Sequence, residues 1–186
     1  MFKILKVREN LEIIIDTHPD FKSLNKKLLK DTQSMDYALS YKTNVKAKMT
    51  GWQTDSENID SVLTWIKSIL VKKYGNIPEE VGYNYECLDV WFAKYTHDEY
   101  TKSHTHTRNA QFAFVYYINA PQGSSPLIFT TSNTIVKAKE GQVIIYPGPL
   151  FHHVPQNNCE DRVVLAGNMG VLKTHNPILS KVGLID

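Results

Sequence analysis

Two hydrophobic rhythms divide this chain. Val62, Trp65, Ile66, Ile69 and Leu70 fall at i, i+3, i+4, i+7 and i+8, and Gly75 ends the run. That spacing predicts an amphipathic helix whose apolar stripe packs onto a sheet. Phe21, Leu24, Leu28 and Leu29 repeat the spacing more weakly, with Asp20 as the candidate N-cap. Residues 2–7 alternate faintly, as an opening strand would, and Leu11–Ile15 is a second apolar run. Residues 31–58 are polar and yield no clear element, although Met49-Thr50-Gly51-Trp52 is expected as a loop or short strand against the body. From about residue 84 the rhythm changes. Cys87–Tyr95, Gln111–Ile118, Leu127–Thr130, Ile135–Ala138, Val143–Tyr146 and Val163–Val171 are short, β-branched and aromatic-rich, and turn residues separate them. Such a series reads as a sandwich or barrel. The expected architecture is therefore mainly β within the α+β class. N-terminal helices pack on one sheet of an antiparallel double-stranded β-helix, a cupin-like jelly roll.

At 186 residues the chain is most simply one domain, 1–186. About 1–83 would be a helical support region and about 84–172 the β-helix core. A net charge of +2 leaves no basic footprint, so no nucleic-acid partner is implied. Cys87 and Cys159 are far apart and form no CxxC, which favours a reducing compartment. The run Leu11–Ile15 is broken by Glu12 and is too short for a signal peptide, and no apolar window reaches membrane-spanning length. A cytoplasmic protein with no membrane partner is expected, in the host's cytoplasm if the source is viral.

The chemistry lies in paired histidines. His104-Thr105-His106 would place two imidazoles on one face of a strand, because side chains alternate there. About fifty residues on comes Tyr146-Pro147-Gly148-Pro149-Leu150-Phe151-His152-His153-Val154, with Arg162 ten residues after His152. Two imidazoles and a third from a distant strand close one side of a metal's coordination sphere and leave the other open for substrate. His152 and His153 cannot both point inward on one strand. Burying Val154 beside an inward His152 is the better arrangement, with His153 as the alternative ligand. Arg162, at the far end of the same hairpin, is a ready anchor for a carboxylate. A lone histidine is more often structural than a ligand, and His18, His97 and His175 are read that way.

The segment from Tyr146 to Val154, followed by Arg162-Val163-Val164-Leu165-Ala166-Gly167-Asn168, resembles the C-terminal signature of the 2-oxoglutarate/Fe(II)-dependent oxygenases. The nearest likeness is to the small oxygenases of marine bacteria and their phages. Trp91-Phe92-Ala93-Lys94-Tyr95, His104-x-His106 and Val115-Tyr116-Tyr117 are similar to that group's first metal strand and its neighbour. The likeness covers about residues 88–170, and weakly Trp52 and the helix after it.

The resemblance implies an Fe(II) site with His104, His106 and His152 as ligands, and 2-oxoglutarate as cosubstrate held by Arg162 and Asn168. The activity implied is a dioxygenase, a hydroxylase that couples oxidative decarboxylation of 2-oxoglutarate to oxidation of a small-molecule or peptidyl substrate, prolyl residues among the candidates. A homodimer stays open. One departure stands out: the superfamily's first motif is usually His-x-Asp or His-x-Glu, whereas here the third position is His106. Asp98 and Glu99 are near enough in sequence to offer a carboxylate instead. Loops 96–103 and 119–126 and the N-terminal third would set specificity. Two other readings fit the histidines: a cupin-type three-histidine dioxygenase or isomerase that uses no 2-oxoglutarate, and a degenerate, metal-free binding module.

Overall fold

The computed structural model describes residues 11–78, 82–106 and 110–173. The faint alternation at residues 2–7 and His175 lie outside these. The described elements run β1 (Ile14–Thr17), α1 (Phe21–Ser34), β2 (Val45–Lys46), β3 (Lys48–Met49), α2 (Glu57–Tyr74), β4 (Tyr83–Tyr95), β5 (Tyr100–His104), β6 (Phe112–Asn119), β7 (Leu127–Phe129), β8 (Thr134–Val136), β9 (Gln142–Pro147), β10 (His152–Val154) and β11 (Arg162–Lys173). They form two antiparallel sheets, a major one in the order β1-β9-β6-β11-β4-β3 and a minor one in the order β2-β5-β10-β7-β8.

Both expected helices form. The Ser56 side chain caps α2 by accepting from the Ile59 N–H. At the other end Gly75, at φ 93°, returns its N–H to the Val71 carbonyl. Asp20 precedes α1 without a side-chain cap bond; its own N–H is taken by His18 Nδ1 at 3.1 Å.

Period-two alternation splits the interior into two cores across the major sheet. Phe92, Phe114, Tyr116, Ile118, Val143, Ile145, Val163 and Leu165 face the helices, against Leu28, Val62, Ile66 and Leu70. Trp91, Ala93, Tyr95, Ala113, Val115, Tyr117, Ile144, Tyr146, Val164 and Ala166 face the minor sheet. A sheet buried on both faces has no polar side, which is why its strands read as nearly continuous apolar runs. The result is the expected double-stranded β-helix with helices on one sheet.

Two expectations need correction. The segment 96–103 was expected as a polar loop, but Tyr100–His104 is strand β5. The hairpin expected to join His152 to Arg162 does not exist. β10 lies in the minor sheet and β11 in the major one, so the connection crosses between walls. No helix among the described residues is long and apolar enough to cross a membrane.

Candidate active site

His104 ends β5 and lies directly opposite His152 on β10. Their ring centroids are 4.3 Å apart. His106 lies beyond the end of β5, so strand alternation is not what aligns it. Instead its N–H donates to the Gly148 carbonyl at 2.8 Å, which folds the chain back over the site. Its ring stands 5.0 Å from that of His104 and 5.1 Å from that of His152. One ligating atom from each of the three lies within 4.8 Å of the other two, and no carboxylate joins the group among the described residues. Asp98 and Glu99, the sequence's candidate carboxylates, are engaged elsewhere. Asp98 occupies a tight turn at φ 62°. Glu99 accepts from the Thr96 N–H at 2.6 Å and from the Tyr41 hydroxyl.

Backbone carbonyls set the tautomers. His104 Nδ1 donates to the Lys102 carbonyl at 2.8 Å, and His152 Nδ1 donates to the Leu150 carbonyl at 2.9 Å. In both rings the lone pair is then on Nε2, ready for a metal. In this state the buried Tyr146 hydroxyl, 3.0 Å away, donates to His152 Nε2 and must turn aside when an ion binds there. Burial, reinforced by the neighbouring His104, holds His152 down to about 3 and His106 to about 4. Burial also lowers His104, against the pull of the Lys102 carbonyl. All three rings are therefore neutral at physiological pH, the form that ligates metals. His152 and Val154 point inward and are buried, whereas His153 turns away, with Nδ1 3.0 Å from Thr130 Oγ1.

Arg162 opens β11 and, at 1% exposure, is the largest fully buried side chain. Its guanidinium lies over the rings of Tyr95 and Tyr117, 4.4 and 5.4 Å from their centroids. Nε and Nη1 have no hydrogen-bond partner, and no carboxylate pairs with it among the described residues. It lines a narrow cavity of about 40 Å³ together with His104, His106 and His152. Asn168 is on the same face of β11 but six residues nearer the mouth, where its Nδ2 donates to Asp89 Oδ2 at 3.1 Å. A wider cavity of about 490 Å³ begins on the other side of His104 and His106. Thr43, Asn44, Trp52, Asp89, Trp91 and Asn168 are among its walls.

Sequence reading missed Asp89, an acid on the inward face of β4, in step with Trp91, Ala93 and Tyr95. It also missed Thr43 and Asn44, which belong to a stretch with no periodicity.

No protein-family model and no curated protein matches the chain. Solved structures do. The viral collagen prolyl hydroxylase of Paramecium bursaria Chlorella virus 1, in its 2-oxoglutarate complex, is 18% identical at a TM-score of 0.63, over 83% of this chain and 94% of that one. A prolyl-4-hydroxylase of Pseudomonas putida is 14% identical at a TM-score of 0.64, over 86% of this chain and 92% of that one. HygX of Streptomyces hygroscopicus, with nickel, 2-oxoglutarate and hygromycin B bound, is 10% identical at a TM-score of 0.57, over 86% of this chain and 83% of that one. The chain thus has the fold of the 2-oxoglutarate/Fe(II)-dependent oxygenases.

Proposed function

We propose that this chain is a dioxygenase that uses Fe(II) and 2-oxoglutarate to hydroxylate a small-molecule or peptidyl substrate. The carrying observation is Arg162, a permanent cation buried beside three metal-competent imidazoles with no anion among the described residues to balance it. A guanidinium cannot escape burial by losing its proton, so an unpaired one is costly to keep. A dicarboxylate whose other end is held at the histidines supplies the missing charge. The residues therefore fit both groups: Nε2 of His104 and His152, with His106 as the third donor, suits iron, and the Arg162 fork suits the distal carboxylate of 2-oxoglutarate.

When bound, iron and 2-oxoglutarate would together supply the means to use one dioxygen, one oxygen atom entering succinate as 2-oxoglutarate loses CO2 and the other converting a substrate C–H into an alcohol. The chain does the positioning. The Lys102 and Leu150 carbonyls orient two ligand rings. Tyr95 and Tyr117 shelve the guanidinium from below, and the narrowness of the inner cavity keeps water from the anchor. Asn168, read from the resemblance as a 2-oxoglutarate contact, lines the wider cavity and not the inner one with Arg162, which supports a role toward the substrate. With three neutral donors, the ion's charge is left uncompensated by protein, which strengthens its hold on an anionic chelate.

The test is anaerobic titration with Fe(II) and 2-oxoglutarate, followed by exposure to oxygen. A visible charge-transfer band requiring both additions, then succinate release, is the expected result. Metal uptake without 2-oxoglutarate dependence would instead indicate a cupin-type three-histidine enzyme, the reading that the all-imidazole ligand set favours. No metal uptake would leave a metal-free binding module.

A further inference from the structure

We propose that the wide cavity beside the histidines recognises a cationic nitrogen, an amino or guanidino group, carried at the end of the substrate's aliphatic chain. The inference rests on the oxygenase reading only for which end of the substrate is oxidised. The cationic subsite itself is argued from the cavity wall.

Register places the subsite. Across β4 and β11, Arg162 faces Tyr95, Val164 faces Ala93, Ala166 faces Trp91, and Asn168 faces Asp89. One end of this inward row is the anchor, and the other is an acid at the mouth. Among the described residues Asp89 is held by amides alone: Gln53 Nε2 donates to Oδ1 at 3.2 Å and Asn168 Nδ2 to Oδ2 at 3.1 Å. A carboxylate offers about four acceptor sites, so neutral donors leave both charge and lone pairs unspent. No Lys or Arg stands among the described residues of this cavity wall.

Asn168 strengthens the case. Its amide must aim Nδ2 at the Asp89 carboxylate, because the reverse orientation would set two oxygens against each other. That leaves Oδ1, on a side chain 9% exposed, as an acceptor without a partner. Oδ1 itself is buried away from the cavity, so the unspent acceptor at the wall is the half-buried Asp89 carboxylate, which an ammonium or guanidinium satisfies and a carboxylate, phosphate or tertiary prolyl nitrogen does not.

The aromatic rim points the same way. Trp52 is 42% exposed and sits edge-on to Trp91 at 4.9 Å. Its carbonyl takes the Val90 N–H at 2.8 Å, and Gln53 also donates to the Leu88 carbonyl at 2.9 Å, so the rim is pinned to β4. A rigid, open indole beside a carboxylate suits a cation with an alkyl stem. His104 and His106 line the same cavity, so the stem of a cation held at Asp89 runs toward the triad.

The experiment is calorimetric titration of the full chain, with and without Ni(II) and 2-oxoglutarate. The probes are the N-acetyl amides of lysine, arginine, norleucine and proline. A lysine-containing pentapeptide and free 1,5-diaminopentane, run alongside, separate a peptidyl side chain from a free amine. The lysine or arginine probe is expected to bind at least about tenfold more tightly than norleucine, the worth of one charge-assisted hydrogen bond. Asp89→Asn should reduce that ratio to near one, and Trp52→Ala should weaken the cationic probes more than norleucine. Rising salt should erode the preference in the unmodified protein, a measurement that needs no variant to fold. Equal binding of lysine and norleucine probes, preference for the proline probe, or no binding of any probe would overturn the proposal. Failure to take up Ni(II) would count against the metal centre alone, because the metal-free titration still reads Asp89.

Discussion

At the scale of single residues, Arg162 sets ligand binding against stability. Burying a guanidinium without its anion costs free energy that two tyrosine rings only partly offset, and even buried ion pairs can be replaced by apolar residues with an effect between neutral and a gain of about 4 kcal/mol. Arg162→Met should therefore raise the denaturation midpoint of the ligand-free protein while abolishing stabilisation by 2-oxoglutarate. Thermal melts with and without the dicarboxylate check both halves, and a destabilised variant that still responds to 2-oxoglutarate would refute the anchor. The adjacent histidines give a cleaner contrast. His152→Ala should lose bound metal, because its Nε2 faces the other two rings. His153→Ala should keep it, because that ring bonds Thr130 on the outer side. Metal content after dialysis distinguishes them.

At the scale of elements, the site depends on how the minor sheet meets the loop after β9. Gly148 is central there. A Cβ at this position would come within 2.4 Å of the Ala110 carbonyl oxygen and 2.5 Å of that of His106, both backbone atoms. Gly148 also accepts the His106 N–H and donates to the Gln111 carbonyl. Only a residue without a side chain allows this approach. Gly148→Ala should push the His106 segment away and weaken metal binding by roughly 10- to 100-fold, the usual effect of disturbing a ligand's support; metal titration by calorimetry measures it. The same elements show what periodicity can and cannot reveal. β4, β6, β9 and β11 are buried on both faces and announce themselves as apolar runs. β5 escaped notice because Thr101 alone is buried, while Lys102 and Ser103 face solvent. A strand at the outer layer need carry only one apolar face, and five residues are too few to show it.

At the scale of the whole molecule, the three imidazoles tie stability to pH. Their folded values lie below the ordinary histidine value of about 6.5, with His106 near 4 and His152 near 3. Above pH ~6.5 both folded and unfolded chains hold these rings neutral and the fold is not penalised. As pH falls below that, the unfolded chain takes up protons that the folded one refuses, so stability drops until the folded values are reached. Each ring contributes a slope of up to about 1.4 kcal/mol per pH unit. The metal-free protein should therefore lose denaturation midpoint steadily from pH 6.5 toward 4, and His152→Gln should flatten that loss. Identical pH profiles for the two proteins would show that His152 does not carry the effect. Saturating metal at neutral pH should raise the midpoint, since an ion that binds only the folded state stabilises it by mass action.

The order of helices first and strands after, the main strands of the major sheet and the grouping of histidines into two clusters were legible in the chain. Each depends on local pattern: period 3.6 for the helices, short apolar runs between turn residues for the strands, and parity for the choice between His152 and His153. Three things were decided only by the fold. Arg162 came to the site from the opposite sheet rather than along a hairpin. His106 was brought in by a backbone bond to Gly148 rather than by strand alternation. Asp89 met Asn168 because β4 and β11 pair in one register. Such contacts join residues tens of positions apart, and nothing in the spacing of either partner records the other.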